Sequence, residues 1–143
     1  MEINRKMFEV KHFSSKAHDV IITNCGSPAA LSMIRSLKDR QMNIVAGAHR
    51  RFSISFYSRY VKKKFVYPNP LKNVKGCIEC LIRQARQSKS PVLFPAADDI
   101  ILLATANREL IENYFIFPLP CNESLIKTLD KKLTVDLADK LNI

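Results

Sequence analysis

Four short stretches of the chain are apolar or β-branched along most of their length: Asp19–Thr23 (DVIIT), Asn43–Gly47 (NIVAG), Lys64–Tyr67 (KFVY) and Pro91–Pro95 (PVLFP). Runs this short, with apolar residues on both parities, predict strands covered on both faces, as in a parallel sheet. Between them the period changes. Leu31, Ile34 and Leu37 predict a helix ending near Arg40, entered through the turn Asn24–Pro28 with Ser27 as cap and Pro28 at the first helical position. Ile78, Leu81, Ile82 and Ala85 place one apolar face on a helix over 74–88. Further helices are predicted over 98–107 and 109–114, from Asn122 with that residue as its cap, and over 130–141, where Leu133, Leu137, Ala138 and Leu141 share a side. Phe52–Tyr60 reads as an irregular helical turn or two, and Phe115–Phe117 as an edge strand fenced by Pro118 and Pro120. Residues 1–18 show no periodicity and read as a lead-in segment. Residues 19–143 read as a single domain.

Strands alternating with helices force right-handed crossovers and predict an α/β fold, a three-layer sandwich around a small parallel sheet of four to five strands. In such sheets ligands sit at the carboxyl ends of the strands, where the strand order reverses. That rule selects Asn24–Ser27, Gly47–Arg51 and Ala96–Asp99 as the edge facing a ligand.

Composition narrows the class. The chain has 143 residues and is 47% apolar, which excludes a disordered polymer. No apolar run approaches the ~18 residues of a membrane helix, and Met1–Val10 is charged and lacks the apolar segment of a secretory signal, so the expected location is cytoplasmic, without a membrane partner. The net charge of +10 is polarised: Arg40–Ile78 contains no Asp or Glu but nine Lys and Arg, whereas Asp98–Ile143 carries eight acids against five bases. A basic middle suits an anionic partner, nucleotide or nucleic acid, and equally a solvated face or one that meets an acidic neighbour.

Candidate chemistry is sparse. The four cysteines, Cys25, Cys77, Cys80 and Cys121, are expected to be free thiols. Cys77 and Cys80 have CxxC spacing but lie on a predicted helix without two further paired ligands, so neither zinc nor a redox dithiol is implied. Gly26 is the sole glycine of the first turn, which argues against a dinucleotide fingerprint. The helix start at Ser27–Ala29 still offers N–H groups to one anion. Asp98 and Asp99 at the end of the fourth strand fit a substrate ammonium, an indirect Mg²⁺ contact or a helix cap. His12, His18 and His49 form no recognisable catalytic spacing. Arg59-Tyr60 and Lys62–Lys64, interleaved with Phe56, Tyr57 and Phe65, mix cations with aromatics in the manner of base-stacking surfaces, or the aromatics are core anchors and the lysines solvated.

One ordered set of segments resembles a known family. Val20–Leu31 (VIITNCGSPAAL), Ile34–Leu37, Ser58-Arg59-Tyr60, Val66–Pro70 (VYPNP), Val92–Asp99 (VLFPAADD) and Leu129–Ile143 (LDKKLTVDLADKLNI) follow the order seen in the N-terminal, pre-ATP-grasp domain of ATP-grasp carboxylate–amine ligases of the carbamoyl-phosphate-synthase large-subunit group. The resemblance covers about residues 19–143 and implies a Rossmann-like domain. It implies an activity in which ATP phosphorylates a carboxylate and an amine attacks the acyl phosphate, with ATP and Mg²⁺ clamped by ATP-grasp lobes in the same or a companion chain. Lys131 corresponds to a family position that touches ATP phosphate; Gly26, Ser27, Asp98 and Asp99 correspond to turns lining the substrate crevice. Ile143 then marks a domain boundary, the segment is inactive by itself, and surface meant for the missing lobes could support a homodimer. No catalytic residue and no metal ligand is implied within the segment. The run Lys62–Lys64 has no counterpart in that resemblance. The alternative reading is a basic nucleic-acid- or nucleotide-binding module, with Arg50 and Arg51 meeting a 2′-phosphate in its nucleotide form.

Overall fold

The computed structural model describes residues 18–38, 40 and 42–141. Residues 1–17 of the expected lead-in 1–18, and Ile143, the expected domain boundary, lie outside the described residues. In chain order the elements are β1 (Asp19–Ile22), α1 (Pro28–Ser36), β2 (Asn43–Ala48), a 3₁₀ turn (Ile54–Tyr57), β3 (Val61–Val66), α2 (Val74–Arg86), β4 (Val92–Phe94), α3 (Asp98–Ala106), α4 (Arg108–Glu112), α5 (Asn122–Leu129) and α6 (Lys131–Leu141). The four strands form one sheet in the order β3-β2-β1-β4, and every pairing is parallel. The expected α/β class and parallel sheet are therefore present, with four strands. Ile116 adds one parallel bridge to Val92 outside β4, with Leu93 N–H donating to Ile116 C=O at 3.0 Å, so the expected edge strand at 115–117 is reduced to a single pairing.

The alternating pleat divides the core in two. On one face Val20, Ile22, Ile44 and Ala46 meet Ala30 and Ile34 of α1 and Phe56 of the 3₁₀ turn. On the other, Ile21, Val45, Phe65 and Leu93 meet Leu81 of α2, Ile100 of α3 and Ile111 of α4. Full burial of an isoleucine is worth about 1.5–3 kcal/mol, so both parities of β1 contribute. Gly47 has a packing reason: a Cβ there would overlap the ring of Phe65 on the neighbouring strand. No described helix is long and apolar enough to cross a membrane.

Several local expectations need correction. The third strand begins at Val61, three residues before the predicted start, so the lysine run lies within it. A register shift against Ile44/Val45 leaves Lys62 without a strand partner, and Lys62, Lys63 and Lys64 are all exposed. β3 is a sheet edge, and lysines there oppose pairing with another chain. α1 stops at Ser36, not near Arg40. Asn122 is the first residue of α5 and not its cap; its amide donates to Thr105 C=O at 3.1 Å.

Candidate functional site

The strand order reverses beside β1, with β2 and β3 to one side and β4 to the other. The turns after β1 and β4 therefore flank a crevice at the carboxyl edge. The first turn is bent by Asn24, which has φ 52°, a left-handed conformation that asparagine tolerates better than most residues. Gly26 does not need its glycine freedom: its φ is not positive, and an added Cβ would make only ordinary contact with Ser53 Oγ at 3.6 Å. Ser27 caps α1 as expected, its hydroxyl accepting the Ala30 N–H at 3.2 Å.

Two further strands close the edge. Cys25 N–H donates to Gly47 C=O and Ser55 N–H donates to Cys25 C=O, each at 3.0 Å, which ties the β2 loop to the first turn. Tyr67, just past β3, reaches across β2 and accepts the Asn24 backbone N–H on its phenol oxygen at 3.0 Å. Burial drives the Tyr67 phenol well above its ordinary range; the Asn24 hydrogen bond opposes this, and the nearby Asp99 carboxylate adds to it. Asp99 thus lies within electrostatic reach of the phenol that holds the first turn. Its own carboxylate accepts the Ile100 N–H at 2.8 Å, and Asp98 is exposed. Neither caps α3, whose cap position is Ala97; both sit in the first turn, where negative charge complements the helix dipole.

The crevice accordingly gathers Asn24, Gly26 and Ser27 from one turn and Asp98 and Asp99 from the other. Tyr67 lies beneath, and Thr23, directly after β1, has a buried hydroxyl without a hydrogen-bond partner. Asn24, Cys25, Ser27 and Ala30 N–H are already donated within the fold and Pro28 has none, so the set can orient a small polar ligand between the Ala29 N–H and the carboxylates. Compared with known proteins, the chain matches no family, and no curated protein is similar enough to count as a relative. The geometry has to carry the reading by itself.

The other predicted residues lie apart. His49 is half-buried and Arg50 and Arg51 are exposed, all directly after β2. Lys131 is the first residue of α6 and exposed. The N-terminus of that helix is already occupied: Asp130 Oδ1 accepts Lys132 N–H at 2.9 Å and Leu133 N–H at 3.3 Å. A phosphate at this end would be held by the Lys131 ammonium and not by the helix amides.

The thiols are free, and three are sealed in. Burial pushes Cys25 and Cys77 up to about 12 and also raises Cys80, so none is a thiolate at neutral pH. Cys121 is exposed, and its hydrogen bonds to Ser124 lower it. Among the described residues, no three His, Cys, Asp or Glu side chains converge as metal ligands.

Sequence reasoning missed Tyr67, Thr23 and Ser53 as parts of this edge. Tyr67 had a readable signal: it shares strand parity with the buried Phe65 and precedes Pro68, so its ring follows Phe65 into the same core face. The rings lie 5.9 Å apart. Thr23 and Ser53 carried no such signal.

Proposed function

We propose that this chain is the N-terminal, pre-ATP-grasp domain of an ATP-grasp carboxylate–amine ligase, contributing the substrate-side wall and one ATP-phosphate contact and inactive without the ATP-grasp lobes. The observation that carries this reading is the crevice where strand order reverses. The resemblance assigns Gly26, Ser27, Asp98 and Asp99 to a substrate wall, and those residues come from the two turns that flank it. In the Ser27–Ala29 stretch Ser27 N–H already donates to Asn24 C=O and Pro28 has none, so the Ala29 N–H is the amide left for a carboxylate, and Asp98 or Asp99 suits an ammonium group. Lys131, exposed at the start of α6, supplies a point charge to a phosphate of ATP.

ATP and Mg²⁺ need more than these residues offer. One lysine fits one phosphate, and the described residues contain no carboxylate cluster to hold Mg²⁺. In this reading the metal and the acyl phosphate belong to the lobes, and this domain orients the carboxylate and keeps water from it. A cytoplasmic location accompanies the reading.

The test is to read the gene frame past Ile143 and to assay both forms. The segment alone, given ATP, Mg²⁺ and a panel of carboxylates and amines, releases no ADP. The protein with its downstream sequence, or reconstituted with a companion chain, releases ADP only when both acid and amine are present. In that assembly Lys131→Ala raises the KM for ATP about tenfold while the crevice substrates keep theirs. Absence of any ATP-grasp lobe in the same or a companion chain sinks the reading.

A further inference from the structure

A second surface lies on the α1 face, away from the carboxyl-edge crevice. The chain between β2 and β3 runs back along α1, and a groove of about 490 Å³ opens between them, floored by Leu31 and Ile54 and walled by Arg35, Tyr57, Arg59 and Tyr60. Arg59 and Tyr60 also wall a second groove of about 390 Å³ at the amino edge of the sheet, with Lys38, Met42 and Lys62. The two form one track. Each lobe falls within the range of sites that take a nucleotide-sized ligand.

The chemistry of the track is cationic and aromatic. Tyr57 is 73% exposed and Phe52, nearby in sequence, 86%, which is unusual for side chains with so much apolar area. Lys64 sits 5.4 Å over the Tyr57 ring and Arg59 5.0 Å over the Tyr60 ring. Arg59 also donates to the Tyr60 hydroxyl at 2.9 Å, which orients its guanidinium and leaves other N–H donors for an acceptor. The bulge at Lys62 matters here. Lys63 reaches Gln87 at the end of α2, whereas Lys64 lies over Tyr57 and Lys62, which lines the second groove, donates to the Asn43 amide oxygen. Ion pairs between described residues, Arg108 with Glu112 and Lys127 with Glu123, lie elsewhere. Asp19, which Asn43 links to Lys62, already accepts from Asn43 Nδ2 at 2.7 Å and Lys89 N–H at 2.9 Å.

We propose that this track binds single-stranded nucleic acid, with bases stacked on Tyr57 and Tyr60 and the phosphates carried by Arg35, Arg59 and Lys62. Two joined nucleotide-sized lobes with alternating rings and cations fit successive nucleotides better than one compact ligand. A chain of net charge +10, acid-free from Arg40 to Ile78, supplies the attractive field. The proposal is independent of the ligase reading, because it uses none of the crevice residues.

The experiment is fluorescence anisotropy with a labelled single strand of about 12 nucleotides. Binding weakens by roughly twentyfold between about 50 and about 200 mM salt, as expected for about three neutralised phosphates. Tyr57→Ala and Arg59→Ala each weaken it about tenfold, Tyr57→Phe restores it, and Lys132→Ala and Lys140→Ala on α6 change it less than about twofold. Tyr57 and Arg59 are exposed, so melting curves of the variants match the parent. Equal losses from the groove and α6 variants would show that net charge alone drives binding and would overturn the proposal. So would no binding at the lower salt, or displacement by free AMP at the same nucleotide concentration as by unlabelled strand.

Discussion

The phenol oxygen of Tyr67 accepts the backbone N–H of Asn24 at 3.0 Å, joining positions 43 residues apart. This single bond couples the end of the edge strand to the first turn of the crevice. Tyr67→Phe leaves that N–H without its partner at a partly buried site. The expected cost is about 1–2 kcal/mol in urea unfolding, with the fold retained. Asn24→Gly is tolerated, whereas Asn24→Val costs more, because a β-branched residue resists the left-handed backbone at this position. A Tyr67→Phe protein as stable as the parent would remove the bond from any account of the edge.

Thiol chemistry offers a second check. Cys25, Cys77 and Cys80 are buried, and Cys121 is exposed beside Ser124. Titration of the native chain with a thiol reagent at pH 7.5 or so should modify Cys121 within minutes, and the other three only at the rate of unfolding. Cys121→Ser abolishes the fast phase and leaves three slow thiols. Rapid loss of all four in the native state would contradict the packing described for β1 and α2.

Stability should fall in alkali before it falls near neutrality. Cys25 and Cys77 have folded values of about 12 against 9.0 when unfolded. A group raised on folding keeps its full contribution below the unfolded value and loses it as pH climbs toward the folded one. The urea midpoint is therefore flat with respect to these groups from neutral pH to about 9 and declines above it. Tyr67, also raised by burial, steepens the decline from about 10. Cys77→Ala makes the alkaline limb shallower; an unchanged limb in that variant assigns the decline to other groups.

Arg108 fastens the C-terminal helices to the body. Its guanidinium donates to Glu112 at 2.7 Å, Pro120 C=O at 2.6 Å, Leu119 C=O at 2.8 Å and Asn122 Oδ1 at 3.0 Å, and it lies 5.3 Å over the Phe117 ring. Arg108→Ala should cost about 1–3 kcal/mol, because several carbonyls lose a charged donor in a partly buried place. Amide exchange over 117–125 accelerates more than exchange in β1 or β2. Arg108→Lys recovers little, since an ammonium cannot span the fork.

Much of the sheet was legible because β1 and β2 are covered on both faces, which leaves continuous apolar runs in the sequence; β4 buries Leu93 and leaves Phe94 exposed, and its signal was the short apolar run between Pro91 and Pro95. β3 was legible only in its second half. As an edge it has one neighbour, so Lys62–Lys64 carry no apolar signature, and the register shift at Lys62 hides its start. The helix bodies followed from spacing and the Ser27 cap of α1 from its turn; the caps of α3 and α5 did not, because Ala97 and Cys121 occupy those positions without a capping side chain. The candidate crevice was half visible. The rule that ligands meet strand carboxyl ends selected the two turns, but Tyr67 entered it through a tertiary bond that no local pattern encodes. The basic aromatic track was visible as composition and became a surface only when the chain after β2 folded back along α1.

The strand order also sets a schedule for synthesis. β1 is central, yet its partner on one side, β4, is encoded about seventy positions later, with Val20 facing Val92 and Ile22 facing Phe94. A nascent chain can dock β2 and β3 against β1 early, but one edge of β1 stays bare until Phe94 clears the ribosome exit tunnel. That bare edge is built from Val20, Ile21 and Ile22, without a lysine to guard it. The finished molecule protects its outer rim at β3 with charge, while in its growing form the open edge of β1 is covered only when β4 arrives.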